Sequence, residues 1–159
     1  MLGLLDGIVD IYLPDAKYGD DGWAEKYSAA RSYQEINLAA LDEMFRQAGY
    51  LELDEAGIAR KGLIVRHLVL PAGRAGTETV LKRLRHQFGR FLSVSLMCQY
   101  RPCYHATDFP ELHGLIPPKE YAAMVAMFED LGFENGWTQQ HDALDGSFVP
   151  DFRKKDAWS

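Results

Sequence analysis

Three short runs of apolar residues constrain the fold more than any other feature of the sequence. They cover residues 8–13, 62–70 and 92–100, and each is rich in aliphatic and aromatic residues at both odd and even positions. Such runs are typical of strands covered on two faces, as in parallel sheets. A segment with helical spacing of apolar residues follows each run. The order β-α-β-α-β-α predicts an α/β fold in which three consecutive β-α units form a parallel sheet with helices outside it.

Helix boundaries are predicted from capping and stop signals. The clearest helix begins with a capping-box pattern, in which Ser32 is the N-cap and Glu35 lies three residues later. Thr77 is predicted to cap the second helix, and two prolines at 117–118 open the third. The remaining predictions are a short helix over residues 23–27, a hairpin around 55–57 and a long loop over 101–116.

We predict one domain with two parts. The β-α units occupy residues 1–133, and residues 134–159 are expected to form an irregular tail that packs on them through Trp137, Phe148 and Phe152. A chain of 159 residues with 47% apolar composition is long enough for one real core.

Charge and cysteine content exclude several classes of function. The net charge is −6 without a basic run, which argues against a nucleic-acid partner. No apolar run reaches the length of a membrane span, and the N-terminus lacks the pattern of a signal peptide. Two cysteines fit a reducing compartment. The sequence therefore predicts a cytoplasmic protein that acts without a membrane.

Polar residues converge where the predicted strands end, which is the functional edge of parallel α/β folds. Asp15 and Lys17 follow the first strand, Arg66 lies within the second, and Gln99 and Tyr100 end the third. An unpaired buried guanidinium is costly. Arg66 therefore either forms an ion pair, with Asp10 or Asp15, or binds a ligand. A carboxylate here could accept from ribose hydroxyls, and the cations could hold a carboxylate, whereas Lys17 could equally be a solvated loop residue.

Histidine and cysteine residues offer a metal-site alternative. Cys98, Cys103, His105 and His113 are of ligand type, and we keep a zinc site as one hypothesis, although their spacing matches no known pattern. His67 alternates with Arg66, so it is expected to face the helix layer as a core or supporting residue.

Three segments together resemble the C-terminal half of radical S-adenosylmethionine proteins similar to pyruvate formate-lyase activating enzyme. They read LDGIVDIYLPDAKYG over residues 5–19, GLIVRHLVLP over 62–71 and LMCQYRPCY over 96–104. The tail strings NGW and FVPDF, at 135–137 and 148–152, are also similar to that subgroup.

The resemblance implies a fold and a cofactor site. The family fold is a partial (β/α)6 barrel, so residues 1–133 would be the C-terminal half of this TIM-like barrel. Asp15 and Lys17 match an Asp-x-Lys pair that contacts S-adenosylmethionine, and Arg66 and Leu68 match contacts on the next strand. A histidine of the family is missing, and Gln99 or Tyr100 lies in its place.

The family's Cys-x3-Cys-x2-Cys motif, which binds a [4Fe-4S] cluster, does not occur in the sequence. The resemblance implies that the intact protein uses S-adenosylmethionine and [4Fe-4S] to generate a 5′-deoxyadenosyl radical and abstract hydrogen. We expect this chain alone to be inactive, as a fragment or split protein. Its expected partner is a missing N-terminal half or a glycyl-radical-type protein substrate.

A non-catalytic half-barrel is the alternative function. A half-barrel has free strand edges and an apolar inner face, both of which demand cover. In that case we expect a homodimer, or a complex with a partner chain, that completes the closure.

Overall fold

The computed structural model describes residues 1–140, and its centre is a sheet with four parallel strands. The predicted α/β fold with a parallel sheet is confirmed. Strands that follow one another along the chain are also neighbours in the sheet, in the order β1-β3-β4-β5, while β2 pairs antiparallel with β3. This sequential order without reversal is the order of barrel strands rather than of a doubly wound sheet. The strands are β1 Ile11–Tyr12, β2 Glu52–Leu53, β3 Ala59–Leu68, β4 Ser93–Met97 and β5 Gly136–Thr138.

Within residues 1–140 four α-helices accompany the sheet, and all four lie in the connections between its parallel strands. They are α1 Asp21–Ser28, α2 Tyr33–Ala48, α3 Thr77–Phe88 and α4 Pro118–Asp130. The predicted hairpin is also present, because β2 and β3 flank a turn in which Asp54 accepts two backbone hydrogen bonds. No helix within residues 1–140 combines the length and the apolar character that crossing a membrane requires.

The main core lies between one face of the sheet and helices α2, α3 and α4. The sheet contributes Leu63, Val65, Val94 and Leu96, which are fully buried. The helices contribute buried apolar side chains at helical spacing, namely Leu41, Ala48, Val80, Leu81, Leu84, Phe88, Tyr121 and Phe128. Burial of this kind is the main favourable contribution to folding.

The opposite face of the sheet is open, which corrects the expectation that the strands are covered on two faces. Leu13 is 50% exposed and Trp137 is 51% exposed, and Ile11 is also exposed. Arg66 and Ser95, which are register partners, lie on this face and are half-buried. Within residues 1–140 the helices therefore cover one face of the sheet, whereas Ile11, Leu13 and Trp137 remain exposed on the other.

The segment predicted to be an irregular tail begins with a fourth parallel strand. Val94 pairs with Gly136 and Leu96 with Thr138, so β5 extends the sheet beyond β4. The strand passes close to β4, because a Cβ at Gly136 would overlap the backbone carbonyl oxygen of Val94. Phe148 and Phe152, the other predicted anchors, lie outside the described residues, as does most of the tail assigned to residues 134–159.

One predicted helix cap is confirmed in position and the other is wrong. Ser32 is the N-cap of α2 as predicted, but it has φ 51° and its side chain makes no capping hydrogen bond. Thr77 is the first residue of α3 rather than its cap, and Gly76 holds the N-cap position. Helices α2, α3 and α4 begin within one residue of the predicted places because their apolar spacing, not their caps, sets them.

Candidate functional site

Backbone hydrogen bonds between two segments bring the polar residues together at the carboxyl edge of the sheet. Asp15 follows β1 and forms a parallel bridge with Arg66 of β3. Ala16 N–H donates to the Arg66 carbonyl at 2.9 Å, and Arg66 N–H donates to the Pro14 carbonyl at 2.9 Å. This pairing extends the β1–β3 ladder past Tyr12 and puts Asp15 beside Arg66.

Asp15 and Arg66 form an ion pair that stays open to solvent. The Nε and Nη2 atoms of Arg66 each lie 2.8 Å from Oδ1 of Asp15. The other carboxylate oxygen, Oδ2, lies 3.7 Å from Nζ of Lys17. The side chains of Asp15 and Arg66 are 32% and 41% exposed. Of the two partners predicted for Arg66, the structure selects Asp15, and it brings Lys17 to the same place.

Further contacts hold this loop from α2. The Lys17 N–H donates to the Tyr33 hydroxyl at 2.7 Å, and Asn37 Nδ2 donates to the Asp15 carbonyl at 3.1 Å. Burial raises the pKa of Tyr33 above its usual value, so the phenol keeps its proton. Sequence reasoning missed Tyr33 and Asn37, because both appear there only as part of a helical pattern.

The loop also approaches the start of α3 closely. Gly19 N–H donates to the Ala75 carbonyl at 2.8 Å. A Cβ at Gly19 would overlap the Gly76 carbonyl oxygen and lie 2.8 Å from Cβ of Thr79. The loop from Asp15 to Gly19 is therefore held against α3 as well as against β3.

The remaining predicted site residues lie near this edge but have other partners. Leu68 is half-buried and packs in a second apolar cluster that includes Tyr100. Tyr100 is buried, and its hydroxyl donates to the Leu112 carbonyl at 2.8 Å. Gln99 accepts from Gln139 Nε2 at 2.7 Å through its Oε1 atom. The structure thus unites Asp15, Lys17 and Arg66 and directs the two β4-end residues to other contacts.

An aromatic cluster beside the loop was not foreseen from the sequence. Tyr27 stacks on Trp23 with ring centroids 5.6 Å apart and meets Phe109 edge-on at 4.9 Å. Tyr18, the residue after Lys17, contacts Tyr33 edge-on at 5.4 Å. A cleft of about 200 Å³ is lined in part by Tyr18, Tyr27 and Phe109 of this cluster. The sequence feature that could have predicted this cluster is the high density of aromatic residues between positions 18 and 33.

The four residues of the zinc hypothesis are not brought together. Cys98 is buried, and desolvation raises the pKa of its thiol, whereas Cys103 is exposed. His105 Nδ1 lies 2.9 Å from Asp108 Oδ2, and His113 Nε2 donates to the Thr107 carbonyl at 2.6 Å. Within residues 1–140 no three His, Cys, Asp or Glu side chains are grouped so that they could hold a metal ion. The geometry therefore gives the zinc hypothesis no support.

Comparison with known proteins identifies a relative of greater length. The chain is 27% identical, over 127 residues, to an uncharacterized protein of Methanocaldococcus jannaschii. The match covers 79% of this chain and 33% of that relative, so the chain spans about one third of the relative's length. No family model matches the chain, and no solved structure matches it. The similarity is therefore to part of a larger protein whose name assigns no activity.

Proposed function

We propose that the chain is the C-terminal part of a radical S-adenosylmethionine protein similar to pyruvate formate-lyase activating enzyme. In this proposal Asp15, Lys17 and Arg66 bind S-adenosylmethionine. The observation that carries it is the meeting of one carboxylate and two cations at the carboxyl edge of a parallel sheet, beside an open sheet face. Support also comes from the sequence resemblance, because these residues lie in two of its three segments.

The three side chains suit the polar groups of S-adenosylmethionine. An ionised Asp15 only accepts hydrogen bonds, so it suits ribose hydroxyls, and Lys17 and Arg66 only donate, so they suit a carboxylate. Arg66 contacts Oδ1 of Asp15, while Oδ2 has only the loose 3.7 Å approach of Lys17. A hydroxyl can therefore reach Oδ2 without breaking the ion pair between Asp15 and Arg66.

The described residues do not fit an iron–sulfur cluster. Buried Cys98 has a raised thiol pKa, and cluster ligation needs thiolates. We therefore derive no step through the cluster from the described residues and propose that its ligands lie elsewhere in a longer protein. There, the cluster would supply the one electron that splits S-adenosylmethionine into methionine and a 5′-deoxyadenosyl radical, which would abstract hydrogen, with a glycine of a partner protein as one candidate. Two free cysteines fit the proposed cytoplasmic location.

The test is a calorimetric titration of the purified chain with millimolar S-adenosylmethionine, alongside iron and sulfide analysis. We expect weak binding that is lost in Asp15→Asn and in Arg66→Gln, with no stoichiometric iron or sulfide. Arg60→Gln is a matched control, because Arg60 lies on the same strand and forms a comparable ion pair with Asp54, away from the carboxyl edge.

Two results would refute the proposal. One is an absence of binding at millimolar ligand, and the other is equal binding by the parent, Asp15→Asn and Arg66→Gln proteins. Stoichiometric iron and sulfide in the purified chain would overturn the part that places the cluster ligands elsewhere. Thermal unfolding of each variant serves as the folding control, since an exposed ion pair contributes only about 0.2–1 kcal/mol.

A second candidate function is the half-barrel module that pairs with another chain. The open face, with exposed Leu13 and Trp137, favours it, and β1 has β3 as its strand partner within residues 1–140. Parallel pairing of β1 with a second copy or a partner chain would satisfy that edge. Light scattering at micromolar concentration tests the homodimer, and a monomer would exclude it.

A further inference from the structure

His67 has an unusual position for a histidine inside a parallel strand. It lies in β3 between Arg66 and Leu68, and its side chain is fully buried on the face that packs against the helices. Its Nδ1 atom lies 2.5 Å from the Ala16 carbonyl oxygen, and its Nε2 atom lies 2.9 Å from Thr77 Oγ1. Both ring nitrogens therefore have partners, one in the Asp15–Lys17 loop and one at the start of α3.

The partners determine where the ring carries its proton. A carbonyl oxygen only accepts, so Nδ1 must donate to Ala16. In the neutral ring Nε2 is then an acceptor, and the Thr77 hydroxyl donates to it. Burial lowers the pKa of His67 to about 4, which agrees with a neutral ring at physiological pH.

Ala16 is the residue between the two proposed ligands of S-adenosylmethionine. Its own side chain is buried, whereas Asp15 is half-buried and Lys17 is exposed, as expected for an extended segment in which alternate side chains face opposite sides. The Ala16 N–H donates to the backbone carbonyl of Arg66. Its carbonyl oxygen faces His67, so a buried side chain of β3 holds the segment from the side opposite the open edge.

We propose that His67 is a positioning residue that holds the Ala16 carbonyl and so presents Asp15 and Lys17 towards the open edge for S-adenosylmethionine. This inference rests on the proposed function. An apolar side chain of similar volume would fill the same space but would leave the Ala16 carbonyl without its partner. The role of His67 is then to hold the loop against β3 through the Ala16 carbonyl, with no contact to the ligand itself.

A matched pair of variants separates positioning from packing. In His67→Asn the amide nitrogen can take the place of Nδ1 and still donate to Ala16, whereas in His67→Gln the longer side chain reaches the place of Nε2. Thr77→Val removes only the hydroxyl on the other side of the ring. Hydrogen exchange at the amides of Ala16, Lys17 and Gly19 reports the loop without any ligand, because all three are hydrogen-bonded in the parent protein.

We expect loop exchange to accelerate by about tenfold in His67→Gln, the effect of losing one hydrogen bond, and by much less in His67→Asn and Thr77→Val. The affinity for S-adenosylmethionine should fall most in His67→Gln and much less in His67→Asn and Thr77→Val. Global unfolding is measured for each variant, so that a general loss of stability is distinguished from local opening of the loop.

Equal loop exchange in the Asn and Gln variants would overturn the inference, since it would mean that His67 acts by packing alone. Loop opening in Thr77→Val as large as in His67→Gln would also overturn it. If the parent protein binds no S-adenosylmethionine, the proposed function fails and the ligand-presenting role fails with it. The exchange comparison then still decides whether His67 holds the loop.

Discussion

Replacing Gly19 by Ala tests how tightly the candidate loop must pack against α3. The added Cβ would overlap the Gly76 carbonyl oxygen and lie 2.8 Å from Thr79 Cβ. Gly76 cannot easily move away, because it has φ 62° at the N-cap of α3 and its own Cβ position lies 3.1 Å from Gly19 Cα. The overlap is with backbone, so the loop and the helix must separate.

The expected cost is that of overpacking a well-packed contact, about 1–3 kcal/mol. For a chain of this size, a loss of about 2 kcal/mol lowers Tm by about 4–8 °C. Gly114→Ala is the matched control, because a Cβ there meets nothing within 4 Å and its φ is outside the left-handed region. We expect that control to stay within about 0.5 kcal/mol of the parent protein.

Thermal unfolding followed by circular dichroism measures both variants, and titration with S-adenosylmethionine follows on the folded proteins. The packing that holds Gly19 against α3 also holds Asp15 and Lys17, so binding should weaken in Gly19→Ala and persist in Gly114→Ala. A Gly19→Ala protein as stable as the Gly114→Ala control would refute the reasoning, because it would mean that the loop and α3 can separate without cost.

Three other changes have defined outcomes. Within residues 1–140 the buried Ser93 hydroxyl has no hydrogen-bond partner, so Ser93→Ala should leave stability unchanged or raise it by about 1 kcal/mol, and a clear loss of stability in chemical denaturation would contradict this. Leu81→Ala removes a fully buried side chain of α3 and should cost about 2–5 kcal/mol by the same measurement, whereas a cost below that range would place Leu81 outside the core. The pKa of His67 is about 4 in the folded protein, which is below its value in the unfolded chain, so the unfolded chain takes up a proton first as the pH falls. The free energy of unfolding should therefore decrease between about pH 6.5 and pH 4, by roughly 3 kcal/mol at most. The decrease should be smaller in His67→Asn, which lacks the imidazole.

The elements of the fold follow from local patterns in the sequence. The apolar spacing of α2, α3 and α4 predicts each helix near its observed bounds, since burial of one helical face selects them. The hairpin around Gly57 was also predictable, because turn residues lie between two strand-like segments. The fourth parallel strand was not, because Gly136–Thr138 is too short to show a period and is defined by pairing with β4.

The candidate site was predictable in part. Asp15 follows the first predicted strand and Arg66 lies within the second, and this was enough to place both near one edge, because parallel strands end together. The roles of Tyr33, Asn37 and Gly19 could not be predicted, since each depends on which surface of another element comes within hydrogen-bonding distance. The choice between Asp10 and Asp15 as the partner of Arg66 likewise needed the register of β1 against β3.

Local patterns in the sequence predict an α/β chain with a parallel sheet, helices outside it and charged residues near the strand ends, because hydrophobic period and chain order are local properties. Only the packing of distant segments leaves one sheet face open within residues 1–140 and pairs Thr77 with His67 instead of making it the cap of α3. It also decided that His67 holds the carbonyl between Asp15 and Lys17. These outcomes depend on distances between segments far apart in the chain, and such distances exist only after the sheet and helices have packed.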